Sequence, residues 1–267
     1  MASAPQLPLF YNDLMPLSSE LHADYKMRQT DRAQWLGNQH AVPLTVEEFP
    51  LAQRHYPIVF SDGDDGVPLA LMGLNEGMNV YVSPEGELRD GHVYLPAYIR
   101  RYPFMLARLQ PDAQEMSLCF DPSSEAIGQF DEGTPLFENG EPSEAVKAIL
   151  QFNENFEQAG LKTQQFMAGL QELDLLQDGE VSISAEGAAQ PYIYRGFRMI
   201  NEEKLSELRG DQLRKMAQSG MLPLIYAHLF SLSLVTTIFN KQVEMGQMPG
   251  QPGAPVANDA AAGTKAE

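Results

Sequence analysis

A mixed α+β fold is predicted, with a largely antiparallel sheet in the N-terminal half packed against helices from the C-terminal half. Three observations predict it. From His40 to Phe120, short runs rich in Val, Ile, Leu, Phe and Tyr are separated by Gly, Asp, Asn and Pro clusters, the punctuation expected of strands. After "FENGEPSEAV" the apolar residues recur at three-and-four spacing, the period of an amphipathic helix. A hydrophobic share of 43% over 267 residues is enough to fill a core.

The strands run from "HAVPLTVEEF" through "YPIVFSDGDDGVPLALMGLNEGMNVYVSPEGEL" to "EMSLCFD". "NEG" at 75–77 and "PEG" at 84–86 are short, turn-forming connections, so antiparallel hairpins are expected there. "SDGDDG" at 61–66 reads as a solvated loop; it lacks the length and terminal glutamate of a calcium-binding EF-hand. "PAYIRRYPFMLARL" interrupts the strands with a helical turn or two, stopped near Pro103 because proline donates no amide hydrogen. Pro142 and Ser143 sit where a long helix starts, and Val146, Ile149, Leu150, Phe156, Phe166, Leu170 and Leu173 follow along it, with a break expected near Gly160. "PYIYRGFRMI" reads as a strand returning to the sheet. Asn201 offers a cap for "EEKLSELRG" and Asp211 one for "QLRKMAQSG".

The longest uncharged run is "MLPLIYAHLFSLSLVTTIF", Met221 to Phe239. It approaches the ~20 apolar residues of a bilayer span. It also holds His228, Ser231, Ser233, Thr236 and Thr237 and lacks flanking aromatic and basic belts, so a central core helix or a homo-oligomer interface is expected instead of a span. No linker divides the chain, and residues 11–245 are expected to form one unit. A flexible N-terminus over 1–10 precedes it. A tail over 246–267, rich in Gly, Pro and Ala, is expected to be disordered because it buries too little surface to offset its ordering entropy.

Lysine and arginine number 18 against 36 acids, a net charge of −18. A surface of that sign repels phosphate backbones, so nucleic acid is not an expected partner. The single cysteine, Cys119, excludes an internal disulfide framework, and its setting in "EMSLCFD" is that of a small hydrophobe within a strand. The first residues, "MASAPQLPLFYNDLMPL", carry no basic segment before the apolar ones, so residence in the cytoplasm is expected; surface association by a non-classical route is compatible with this.

Catalytic motifs are scarce. There is no Gly-x-Ser-x-Gly elbow, Gly-rich phosphate loop, Walker lysine or His-Glu-x-x-His zinc pair, and no cofactor or metal is expected. The five histidines are His22, His40, His55, His92 and His228. His22 and Asp24 have the His-x-Asp spacing that supplies two ligands of a non-haem iron site, with a distal histidine as third; this gives the alternative of an iron-dependent enzyme. "YLPAYIRRYPF" sets Arg100 and Arg101 among Tyr94, Tyr98, Tyr102 and Phe104, guanidinium forks beside aromatic faces that suit an acidic peptide or a saccharide; the alternative is that one arginine pairs with a nearby acid while the other lays its stem along apolar surface. Tyr226 and His228, on the uncharged helix, are expected to form a buried pair whose polar tips find partners, with ligand binding as their alternative role. His40, before the strand "AVPL", is expected to fix a chain turn through its ring, with ligand binding as its alternative role; whether it meets His55 and Glu48 depends on the fold.

The segments "YNDLMPLSSELHADYKMR", "HAVPLTVEEFPLAQRHYPIVF", "PLALMGLNEGMNVYV", "YLPAYIRRYPFML", "GLQELDLL" and "LPLIYAHLFSL" together resemble the SapC family of bacterial proteins, from about Tyr11 to about Phe239. The resemblance implies an association with bacterial surface-layer proteins and supplies no agreed enzymatic activity or catalytic residues. A non-enzymatic accessory or binding protein for surface-layer or envelope assembly or export is therefore expected. A metal-dependent enzyme and a self-associating structural protein are the alternatives.

Overall fold

Every side chain from Ile58 to Phe60 is buried, as expected of a strand covered on both faces, and this strand lies in the middle of the main sheet. The computed structural model describes residues 7–30, 32–63, 66–110, 115–184 and 190–247. Five strands make the main sheet: β1 (Ala41–Pro43), β2 (Ile58–Phe60), β3 (Pro68–Leu71), β4 (Leu176–Asp178) and β5 (Arg198–Ile200). Their order is β4-β5-β2-β3-β1, with each neighbouring pair antiparallel. Ile58 faces Ala70, Val42 faces the same Ala70 from the other side, and Leu176 faces Ile200. The β5–β2 seam rests on one register pair, Arg198 with Phe60.

"PYIYRGFRMI" is shared between two ladders. Tyr192–Tyr194 pairs with Val181–Ile183 in a separate ribbon, and only the second half re-enters the main sheet as β5. A smaller sheet joins Met15–Pro16, Ser117–Phe120 and Phe104–Ala107. Cys119 lies buried in it, as its apolar neighbours lead one to expect. The turns at "NEG" and "PEG" form, but their flanks shorten. Met78 N–H bonds Asn75 O so that Val80 N–H reaches Met72 O, and Val82 pairs with Leu88 as a single bridge. Gly73 permits this crossing, since a Cβ there would stand 2.1 Å from the Met78 carbonyl oxygen.

The helices are α1 (Phe49–Ala52), α2 (Ala97–Arg101), α3 (Glu144–Glu172), α4 (Glu202–Ser206), α5 (Gly210–Ser219), α6 (Met221–Ser231) and α7 (Leu234–Glu244). Ser143 caps α3 by accepting from Val146 N–H. The helix then runs 29 residues without the break expected at Gly160. One interior glycine costs about 1 kcal/mol relative to alanine, which the packing of so long a helix offsets. Asn201 caps α4 through Lys204 N–H at 2.9 Å, as the sequence predicts. Asp211 does not cap α5: the helix starts two residues earlier than such a cap implies, Arg209 occupies the cap position, and Gln212 accepts the Arg209 N–H. Asp211 lies in the first turn, where the helix dipole favours its charge.

Core residues from the main sheet, α1 and the turn after it, α3, α6 and α7 form one cluster that includes Phe49, Tyr56, Phe60, Leu170, Ile200, Ile225 and Ile238. Phe104, Phe120, Ile127, Leu136 and Val146 form a second, beneath the smaller sheet. Ordering begins before residue 11: the Phe10 ring lies 4.4 Å from that of Trp35, and Tyr98 donates to Leu9 O. Asp64 and Asp65 of the "SDGDDG" loop, and residues 248–267 of the expected tail, lie outside the described residues. By length and composition Met221–Glu244 is long and apolar enough to cross a membrane, as core helices of soluble proteins also are; here its inner face is bonded to the sheet.

Candidate functional site

Buried polar side chains are the first place to look for chemistry, and here the fold occupies most of them. Glu48 accepts four hydrogen bonds: from Thr45 N–H and Oγ1 (both 2.9 Å), Tyr94 OH (3.0 Å) and Ala97 N–H (2.6 Å). It ties the turn after β1 to the start of α2. Asp121, fully buried, accepts from Asn12 N–H and from the backbone and hydroxyl of Ser123. His228 Nδ1 donates to Ile58 O at 2.7 Å, and its Nε2 accepts from Ile200 N–H at 3.2 Å, while Ser231 Oγ accepts from Ile58 N–H. The imidazole thus bridges β2 and β5 where the two strands share a single register pair. Burial holds it neutral and pulls its pKa down to about 4, against the opposing hydrogen bond to Ile58.

The iron arrangement does not form. His22 is buried against Tyr25 and Phe120, and its Nδ1 accepts from Ser18 N–H. Asp24 lines a separate open hollow of about 540 Å³ with Tyr25, Lys26, Phe130 and Asp131. Among the described residues no three His, Cys, Asp or Glu side chains are grouped to hold a metal ion. Nor do His40, His55 and Glu48 share a hydrogen bond. His40 fixes the chain through its carbonyl, which accepts from Met72 and Gly73 N–H, instead of through its ring. Burial lowers the ring's pKa, with Glu76 opposing.

The two neighbouring arginines part company. Arg101 is only 6% exposed. Its guanidinium lies 4.2 Å from the Tyr98 ring centroid, 4.5 Å from that of Phe156 and 5.7 Å from that of Tyr11, with Glu157 at 4.0 Å and no hydrogen-bond partner for Nε. Arg100 is exposed, yet its Nε donates to Leu95 O and its Nη2 to Tyr94 OH, with its guanidinium over the Tyr94 and Phe152 rings. Burial and the nearby Glu48 carboxylate push the Tyr94 pKa up to about 12. Tyr102 packs on Trp35 and Tyr11. Tyr226 does not pair with His228: it is 43% exposed and stacks on Phe230, itself 68% exposed. Helical geometry accounts for the split, since residues two apart face different sides.

A groove of about 760 Å³ runs between α3 and the sheet. Its helical wall is Phe156, Gly160, Thr163, Gln164, Met167, Ala168 and Gln171, and its other wall is Pro43–Thr45, Gly66–Pro68 and Tyr98. Phe156 and Tyr98, the rings that sandwich Arg101, form one end. Sequence reasoning passed over it, although the i, i+4, i+7, i+11 series Phe156, Gly160, Thr163, Met167 was its signal. A family model for SapC matches residues 17–238. The chain belongs to the SapC family. The matched region contains the whole groove and both ends of the His228 bridge. No curated protein and no solved structure matches the chain.

Proposed function

We propose that this SapC-family protein is a non-enzymatic binding or accessory protein for bacterial surface-layer or envelope assembly or export, and that it holds its partner in the α3 groove. The observation that carries the reading is the groove itself: a concave surface of ligand-site size with no charged lining residue, closed at one end by the Phe156 and Tyr98 rings. The engagement of Glu48, Asp121, His22 and His228 in structural hydrogen bonds supports it, because those groups serve the fold. Family membership supplies the surface-layer context.

Gly160 provides the test. A Cβ at this position meets nothing within 4 Å, so a larger side chain starts into open space on the groove wall. Gly160→Leu also improves helix propensity by a few tenths to about 1 kcal/mol. The immobilised full chain is expected to retain a surface-layer or envelope component from envelope extract, and Gly160→Leu, folded as judged by its thermal midpoint, is expected to lose it. Equal retention by the two proteins overturns the reading.

A further inference from the structure

We propose that the α3 groove is a peptide site whose occupant is an extended apolar segment flanked by lysine or arginine. This rests on reading the groove as the binding site and adds the chemistry of what it holds. None of the lining residues carries a formal charge, in a chain of net charge −18. Threonines on its walls are already bonded: Thr163 Oγ1 donates to Ala159 O at 2.7 Å and accepts from Val46 N–H at 3.0 Å, and Thr45 Oγ1 donates to Glu48. Such a surface offers apolar contact and penalises a charge brought onto it. From Phe156 to Gln171 the helix advances 171 − 156 = 15 residues at ~1.5 Å each, about 22 Å. That length takes about seven extended residues at ~3.3 Å.

Carboxylates predominate around that floor. Glu157 follows Phe156 and is half-buried, Glu172 follows Gln171, and Asp62 stands in the loop that leads to Gly66. Glu47, beyond Thr45, pairs with Lys162 on α3. Arg101, the other cation beside the groove, is enclosed between Tyr98 and Phe156 with Glu157 at 4.0 Å, and exposed Arg100 is turned onto the Tyr94 and Phe152 rings and bonded to Leu95 O and Tyr94 OH. Complementarity therefore favours positive flanks and opposes a fatty-acid carboxylate or an acidic peptide. The sign is the reverse of the one expected from Arg100 and Arg101.

Fluorescence anisotropy with three synthetic peptides tests this on the full chain. One has a Leu/Ala core of about seven residues with lysine flanks, one the same core with glutamate flanks, and one a Ser/Gly core with lysine flanks. The first is expected to bind at least about tenfold more tightly than either other, a difference of ~1.4 kcal/mol, and Gly160→Leu to weaken it by a similar factor. Equal binding of the two lysine-flanked peptides reduces the effect to general attraction by an acidic surface and overturns the inference. Equal binding of the lysine- and glutamate-flanked apolar peptides overturns it as well. If no peptide binds while envelope capture still depends on Gly160, the peptide inference fails and the groove reading stands.

Discussion

Arg101 shows how far one side chain's surroundings decide its role. A guanidinium boxed by Tyr98, Phe156 and Tyr11 holds the N-terminal segment, α2 and α3 together, and its long stem adds packing that does not depend on charge. Arg101→Ala is expected to lower unfolding free energy by about 2–5 kcal/mol, the range for truncating a large buried side chain. Arg100→Ala, on an exposed residue, is expected to cost less than about 1 kcal/mol. Urea denaturation of the two variants checks the pair; equal losses would contradict the assignment. From the sequence the two are indistinguishable, because adjacent arginines on a five-residue helix differ only in which way they point. Cys119 was legible as a small hydrophobe because its strand neighbours alternate in polarity.

At the scale of elements, the attachment of α6 to the sheet is the feature with a measurable pH signature. His228 occupies the gap between β2 and β5 as a neutral donor and acceptor. Its pKa is lowered from 6.5 to about 4 in the folded protein, so between those values the unfolded chain binds a proton that the native state does not. Its contribution is complete above about pH 6.5 and declines as pH falls toward about 4. Denaturant midpoints measured at about pH 7 and about pH 5 are expected to fall for the parent protein. His228→Gln is expected to be less stable at both and to show a smaller fall, and an equal fall would contradict the bridge. The apolar run predicted a core helix correctly; that its histidine would replace a missing strand-to-strand contact was not legible, since it depends on two strands about 140 residues apart. Helix α3 was legible in its start and period. Its continuity through Gly160 was not, because glycine weakens a helix locally while tertiary packing restores it.

Across the whole molecule, the structure separates an interior whose polar groups serve the fold from surfaces left to do other work. Antiparallel sheets in the N-terminal half and helices in the C-terminal half were readable from periodicity, with two β-segments of the C-terminal half, β4 and β5, completing the main sheet. The groove was not readable, because its walls come from segments over 100 residues apart, Pro43–Thr45 and Phe156–Gln171. Among the described residues, the groove and the uncharged face of α6, with exposed Tyr226 and Phe230, are outward apolar surfaces that a partner can reach. The central claim is that the groove is the working surface, and site-specific photo-cross-linking in the cell distinguishes the two directly. A photoreactive phenylalanine derivative replaces Gln164 in one strain and Tyr226 in another, with the protein otherwise unchanged. A cross-linked envelope or surface-layer polypeptide is expected from position 164, abolished by Gly160→Leu, and none from position 226. Cross-links from position 226 alone, to a second copy of the chain or to another protein, would contradict it.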